Sequence, residues 1–155
     1  MKTLRSLASG AIILFCWVCM AQSEPKSNSL HNLAKGAFSG MTEARQEVIT
    51  NRSAWERVWA KHTVRSFPPQ KLPEIDFRKQ MVIVVTLGQK PTGGFALEIM
   101  SVVEAADRLQ ITVKSTTPRS GAMTIQALTA PFHFVAVPRS DLKPQFIEAK
   151  SAGTK

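Results

Sequence analysis

An α+β fold, an antiparallel β-sheet or small β-sandwich with one packed α-helix after the first strands, is predicted by three features of this 155-residue chain. Met81 to Ile99 holds two apolar, strand-like runs on either side of Lys90-Pro91-Thr92-Gly93-Gly94. Leu109, Ile111 and Val113 alternate with Gln110, Thr112 and Lys114, the two-residue period of a half-buried strand. Trp55, Val58, Trp59 and His62 recur at steps of three and four, the period of a helix with one apolar face.

The N-terminus reads as a secretory signal peptide over residues 1–21. Lys2 and Arg5 precede an apolar segment, Leu7 to Met20, that is short for a membrane span, and Ala21 offers a small residue for cleavage. A lipoprotein signal would need a small residue before Cys16 or Cys19, where Phe15 and Val18 stand. Removal of the leader takes both cysteines, so disulfides, thiolate metal sites and cysteine nucleophiles are not expected within one chain. The expected location is periplasmic or secreted, with no integral span after cleavage.

Residues 22–32 read as a flexible linker, 33–148 as one domain and 149–155 as a flexible tail. Leu33 to Gly40 and Ala44 to Asn51 are expected to be strands around a turn at Met41-Thr42-Glu43. The helix follows from Ser53 to about His62, with Ser53 and Glu56 at capping-box spacing. Its tryptophan face is expected to supply core, and His62 to meet the last carbonyls. Three prolines between Phe67 and Pro73 make an extended crossing, and Asp76 reads as a turn residue. An antiparallel meander is expected from Met81 onward, turning at Glu104 to Arg108 and at Thr116 to Ala122. Met123 to Leu128 and Phe132 to Val137 are its last expected strands, with His133 pointing outward.

Lys90 to Gly94 reads as the tip of a hairpin. Pro91 presets the first turn position, Thr92 takes the second, and Gly93 enters the left-handed region. In a meander, alternate loops emerge at the same end, so this tip should lie beside Pro118 to Gly121. The expected partner-binding surface comprises Lys90, Pro91, Thr92, Gly93, Gly94, Phe95, Arg119, Ser120 and Gly121. Ordinary turn chemistry explains the same residues without any partner.

No catalytic site is expected. A Gly-x-Ser-x-Gly elbow, a His-Glu-x-x-His helix and a P-loop are all missing, and His31, His62 and His133 are isolated from one another. No cofactor or metal is expected either. The formal charge of +9 comes from basic residues interleaved with eleven acids, without the dense block that nucleic-acid binding wants.

The W-x3-W helix, the Pro-rich crossing, Asp76-Phe77, the run MVIVVTLGQKPTGGF and a T-x-P before an apolar strand together resemble the C-terminal domain of the PrcB protease-complex subunit family. The resemblance extends over most of Leu33 to Val137, and its specific part is Gly88, Pro91, Thr92, Gly93, Gly94 and Phe95. It implies a non-catalytic exported bacterial domain that associates with a protease or helps assemble its complex. A second similarity links Lys90 to Phe95 with the Pro-Thr-Thr-Gly-aromatic loop of chagasin-like protease inhibitors. Gly93 replaces the second Thr of that loop, and no Arg-Pro-Trp loop is present. A small-ligand or cell-envelope-component binder and a protease inhibitor are the alternatives to a protein-binding module.

Overall fold

The computed structural model describes residues 26–105 and 107–149. The expected signal peptide, residues 22–25 of the linker and residues 150–155 of the tail lie outside the described residues. In chain order the elements are β1 (Lys26–Ser27), β2 (His31–Gly36), β3 (Ala44–Ile49), α1 (Arg52–Thr63), β4 (Gln80–Leu87), β5 (Ala96–Ala105), β6 (Arg108–Thr116), β7 (Phe132–Pro138) and β8 (Lys143–Glu148). They form two four-stranded sheets, ordered β1-β5-β6-β8 and β2-β7-β4-β3, and every strand pair is antiparallel except β6 with β8. One helix on mostly antiparallel β-structure is what the apolar periods foretell.

Strand β4 explains the layering. Its alternate side chains enter two different cores: Met81, Ile83 and Val85 meet β5 and β6, while Val82 and Val84 meet the helix. Strand β7 does the same, with Val135 and Val137 on one side and Phe132 and Phe134 on the other. A strand covered on both faces reads as an unbroken apolar run. Strands β5 and β6 bury one face only, hence their alternation. The phase of β5 slips between Ile99 and Ser101, a bulge that turns Met100 outward and brings Val102 back into the core.

The helix starts one residue earlier than expected, and the capping box does not form. Asn51 is the N-cap, its side chain accepting the Ala54 N–H at 2.9 Å. Ser53 Oγ instead accepts from Arg57, and Glu56 pairs with Arg52 one turn back. The buried face is as expected: Trp55, Val58, Trp59 and His62. Both indoles also donate outward, Trp55 Nε1 to Pro73 O at 3.1 Å and Trp59 Nε1 to Gln70 O at 3.2 Å. The Pro-rich crossing is thus fastened to the helix by the tryptophans. Asp76 is the expected turn residue, accepting the Arg78 N–H on its side chain and the Lys79 and Gln80 N–H groups on its carbonyl.

Four expectations about strands need correction. β4 and β5 are not a hairpin: β4 already bonds β3 and β7 along its two edges, so the chain must cross to the other sheet. β2 and β3 occupy opposite edges of one sheet instead of pairing. Met123 to Leu128 forms no strand, and β8, unforeseen in the sequence, closes an edge. The linker is ordered in part, since Lys26 and Ser27 pair with Glu104 and Val103, the Asn28 N–H reaches Val102 O, and His31 and Asn32 belong to β2. The β5–β6 hairpin forms as expected, with Ala105 paired to Arg108.

His133 does not point outward; it is 4% exposed because β7 is central and both of its faces are covered. Its Nδ1 accepts the Ile99 N–H at 2.8 Å beside the β5 bulge, linking the sheets. An accepting Nδ1 carries no proton, so the ring is neutral with its hydrogen on Nε2. Burial, with a smaller contribution from Lys35, pushes its pKa down to about 4. The unfolded chain would titrate near 6.5, so between these values it binds more protons than the folded one. Stability is therefore full above about pH 6.5 and declines by up to about 3 kcal/mol as the pH falls toward 4. Urea midpoints measured from pH 7.5 down to 4.5 should fall, and should fall less in His133→Gln, whose amide oxygen can still accept the Ile99 N–H. Equal slopes in the two proteins would rule His133 out as the cause.

Candidate functional site

The Gly88 to Phe95 segment crosses between sheets beneath a second segment, residues 117–130, that leads from β6 to β7. Lys90 and Thr129 exchange backbone hydrogen bonds of 2.7 and 3.0 Å, an isolated antiparallel bridge. Thr129 Oγ1 donates to Thr92 O at 2.8 Å, and the Gly93 N–H donates to Ile125 O at 2.8 Å. Closeness is also enforced at Gly94, where a Cβ would stand 2.9 Å from Pro118 Cβ and 3.1 Å from Thr124 Cγ2. Residues 117–130 therefore act as a strap laid over the glycine-rich bend. Segments that make such main-chain bonds without joining a sheet satisfy their buried polar groups pairwise.

The bend itself departs from the expected turn. Gly94, with φ of +83°, takes the left-handed conformation assigned in sequence to Gly93. Gly93 is buried and its N–H is spent on Ile125, so it offers no free main chain to a visitor. Pro91 and Gly94 are exposed, Lys90, Thr92 and Phe95 are half-buried, and the Lys90 ammonium lies 5.7 Å from the Phe95 ring centre. Arg119, Ser120 and Gly121 are exposed at the strap's outer turn, closed by Ala122 N–H to Arg119 O at 3.0 Å. The expected juxtaposition of the two loops is present, through Gly94 and Pro118. Its cause is the strap's docking, since the meander that suggested it does not exist.

Residues outside the expected set complete the surface. Met123 is fully exposed, Ile125 is 71% exposed and Leu128 60% exposed, all on the strap. Their pattern, MTIQAL, reads as a strand because apolar content alone does not report whether a sheet edge is free to receive it. Below Leu128 opens a cavity of about 310 Å³, its wall including Phe38, Arg65, Ser66, Gln89 and Ala130. Phe38 is 66% exposed. Isolated exposed apolar groups are unremarkable, but Phe38 and Leu128 meet at one concavity, while Met123 and Ile125 continue along the same strap, and such grouping marks a contact surface.

His62 belongs to the same wall, and its ring meets Ser39 where the last carbonyls of α1 were the expected partners. It is buried among Trp59, Phe132 and Phe134, with ring centres 5.2, 4.2 and 5.0 Å away, while its carbonyl accepts the Gly40 N–H. Nδ1 lies 3.0 Å from Ser39 Oγ, which also accepts the Met41 N–H, and Nε2 has no partner among the described residues. Burial holds the pKa of His62 below the usual histidine value, so the ring is neutral at pH 7. A serine and a histidine in contact suggest nucleophilic chemistry only when a third group orients the base. Here, among the described residues, no carboxylate bonds the ring nitrogen opposite Ser39. Among the described residues no group of three His, Cys, Asp or Glu is placed to hold a metal ion, and no helix is long and apolar enough to cross a membrane.

Residues 81–138, from β4 to β7, match the family model described as PrcB C-terminal. The family resemblance read in the sequence is thereby shown over the half of the domain that includes both the bend and the strap; the tryptophan helix and the first strands lie outside the match. No curated protein and no solved structure gives a match.

Proposed function

We propose, from the PrcB C-terminal pattern carried by residues 81–138, that this protein is an exported, non-catalytic protein-binding module that associates with a protease complex or helps assemble it. Export rests on the leader at 1–21. The two sheets, read as a small β-sandwich, serve as a rigid platform. One observation carries the reading: the strap is held by its main chain to the Lys90-to-Phe95 bend, and this leaves Met123, Ile125 and Leu128 projecting into solvent. Exposed apolar side chains on an anchored backbone lose little entropy on binding, which favours recognition. Lys90, Pro91 and Gly94 on the bend and Arg119, Ser120 and Gly121 at the strap's outer turn are the accessible part of the expected surface that would accompany that patch, with Lys90 and Arg119 supplying its positive charge.

The test uses the exported chain as bait in its own host. A co-purifying protease activity should be recovered with the parent protein and drop at least about tenfold with Met123→Asp plus Ile125→Asp, since hot-spot apolar contacts dominate such interfaces. Circular dichroism should be unchanged, because both side chains are exposed. Recovery of the same activity with the double variant would remove the strap from the interface.

A further inference from the structure

The cavity beneath Leu128 combines two chemistries. Phe38 and Leu128 give it apolar walls that stay largely in solvent, and Arg65 lines it as a cation. Arg65 joins none of the ion pairs among the described residues. Lys61, four residues earlier, is exposed and likewise outside those pairs. We infer that this cavity holds the C-terminus of a partner polypeptide, its last apolar side chain between Phe38 and Leu128 and its terminal carboxylate on the Arg65 guanidinium.

Size and charge support that occupant. About 310 Å³ lies at the low end of ligand cavities and suits one large side chain with its carboxylate. A guanidinium presents two parallel N–H donors that match the two carboxylate oxygens, so a free chain end is recognised where an amide is not. The C-terminal end of α1 opposes an anion here, at a cost below about tenfold in affinity, and Lys61 in the last turn offsets it. A polypeptide is favoured over a small acid because the apolar surface continues past the cavity mouth. Val64, 71% exposed, stands against Gly40 of the cavity wall and carries it outward. Residues preceding the partner's C-terminus would lie there.

This inference rests on the protein-binding reading and specifies the partner's chemistry. The probe is a fluorescein-labelled hexapeptide ending in phenylalanine with a free carboxylate, compared by fluorescence anisotropy with its C-terminal amide and with unlabelled N-acetylphenylalanine as competitor. The acid form should bind at least about tenfold more tightly than the amide, and N-acetylphenylalanine should compete more weakly than the unlabelled peptide. Arg65→Gln should erase the difference between acid and amide, and Leu128→Asp should weaken the acid form about tenfold or more. Both residues are exposed, so folding should be spared. Equal binding of acid and amide, a preference that survives Arg65→Gln, or N-acetylphenylalanine competing as well as the peptide would each overturn the assignment. So would no binding of the peptide. If a protease still co-purifies through the strap in that case, the module reading stands and only the chain-end assignment fails.

Discussion

Replacing Trp55 with alanine should lower the free energy of unfolding by about 3–5 kcal/mol, a large share of the roughly 5–15 kcal/mol typical of a domain. The indole is 1% exposed, with its ring centre 5.3 Å from that of Trp59 and 6.0 Å from that of Phe134. Its removal opens a void between α1 and the β2-β7-β4-β3 sheet, and it leaves Pro73 O without its donor. Two losses therefore add, one of packing and one of a hydrogen bond that anchors the Pro-rich crossing. Trp55→Phe should recover most of the packing but none of the hydrogen bond. Urea unfolding at pH 7.5 measures all three proteins. A loss below about 1 kcal/mol for Trp55→Ala would mean that the helix contributes little to the fold.

The second large effect is expected at Gly88, where β4 leaves its sheet. With φ of +67° the residue sits where a side chain costs about 1–2 kcal/mol. A Cβ would also stand 2.7 Å from Ala44 N and 2.9 Å from Thr42 O. Those atoms are backbone, held in place by β3 pairing with β4 and by the Gln89 N–H donated to Thr42 O at 2.9 Å. They cannot yield as a flexible side chain would, so crowding adds about 1–3 kcal/mol. Gly88→Val should thus destabilise by about 2–5 kcal/mol in the same urea assay. Gly121→Ala separates the two contributions, because Gly121 has φ of +77° but nothing within 4 Å of its would-be Cβ. It should show the conformational cost alone. Equal losses at the two positions would mean that the close approach of β3 contributes nothing.

Gly93 and Gly94 deserve the same distinction when the bend is tested. Gly94 carries a positive φ and touches Pro118, whereas a Cβ on Gly93 would meet Ile125 at an ordinary 3.4 Å. Valine at Gly94 would disturb the strap as a whole, so loss of binding there would not identify a contact. Charged substitutions at Met123 and Ile125 avoid this, since those side chains pack against little.

Within the candidate site, the bend and the strap's outer turn are visible in the sequence, whereas the exposed course of the residues that follow that turn is not. The Lys90-to-Phe95 bend and Arg119 to Gly121 were legible because proline and glycine restrict or release φ locally. Met123, Ile125 and Leu128 read as a strand because their apolar content matches one. Phe38, Arg65 and Leu128 come together only through folding, from segments 27 and 63 residues apart, and no local pattern announces such a meeting.

The course of the core strands, the buried face of the helix and the solvent-facing side of β5 and β6 are all written in the local pattern of residues. These follow from side-chain period, and period is a property of neighbours along the chain. Only the folded chain shows that β4 parts from β5 to lie between β3 and β7, that His133 is inside, and that the strap stays off the sheets. Each depends on which hydrogen-bonding edges and faces are already occupied. Occupancy is settled among residues distant in sequence, where composition and spacing carry no information.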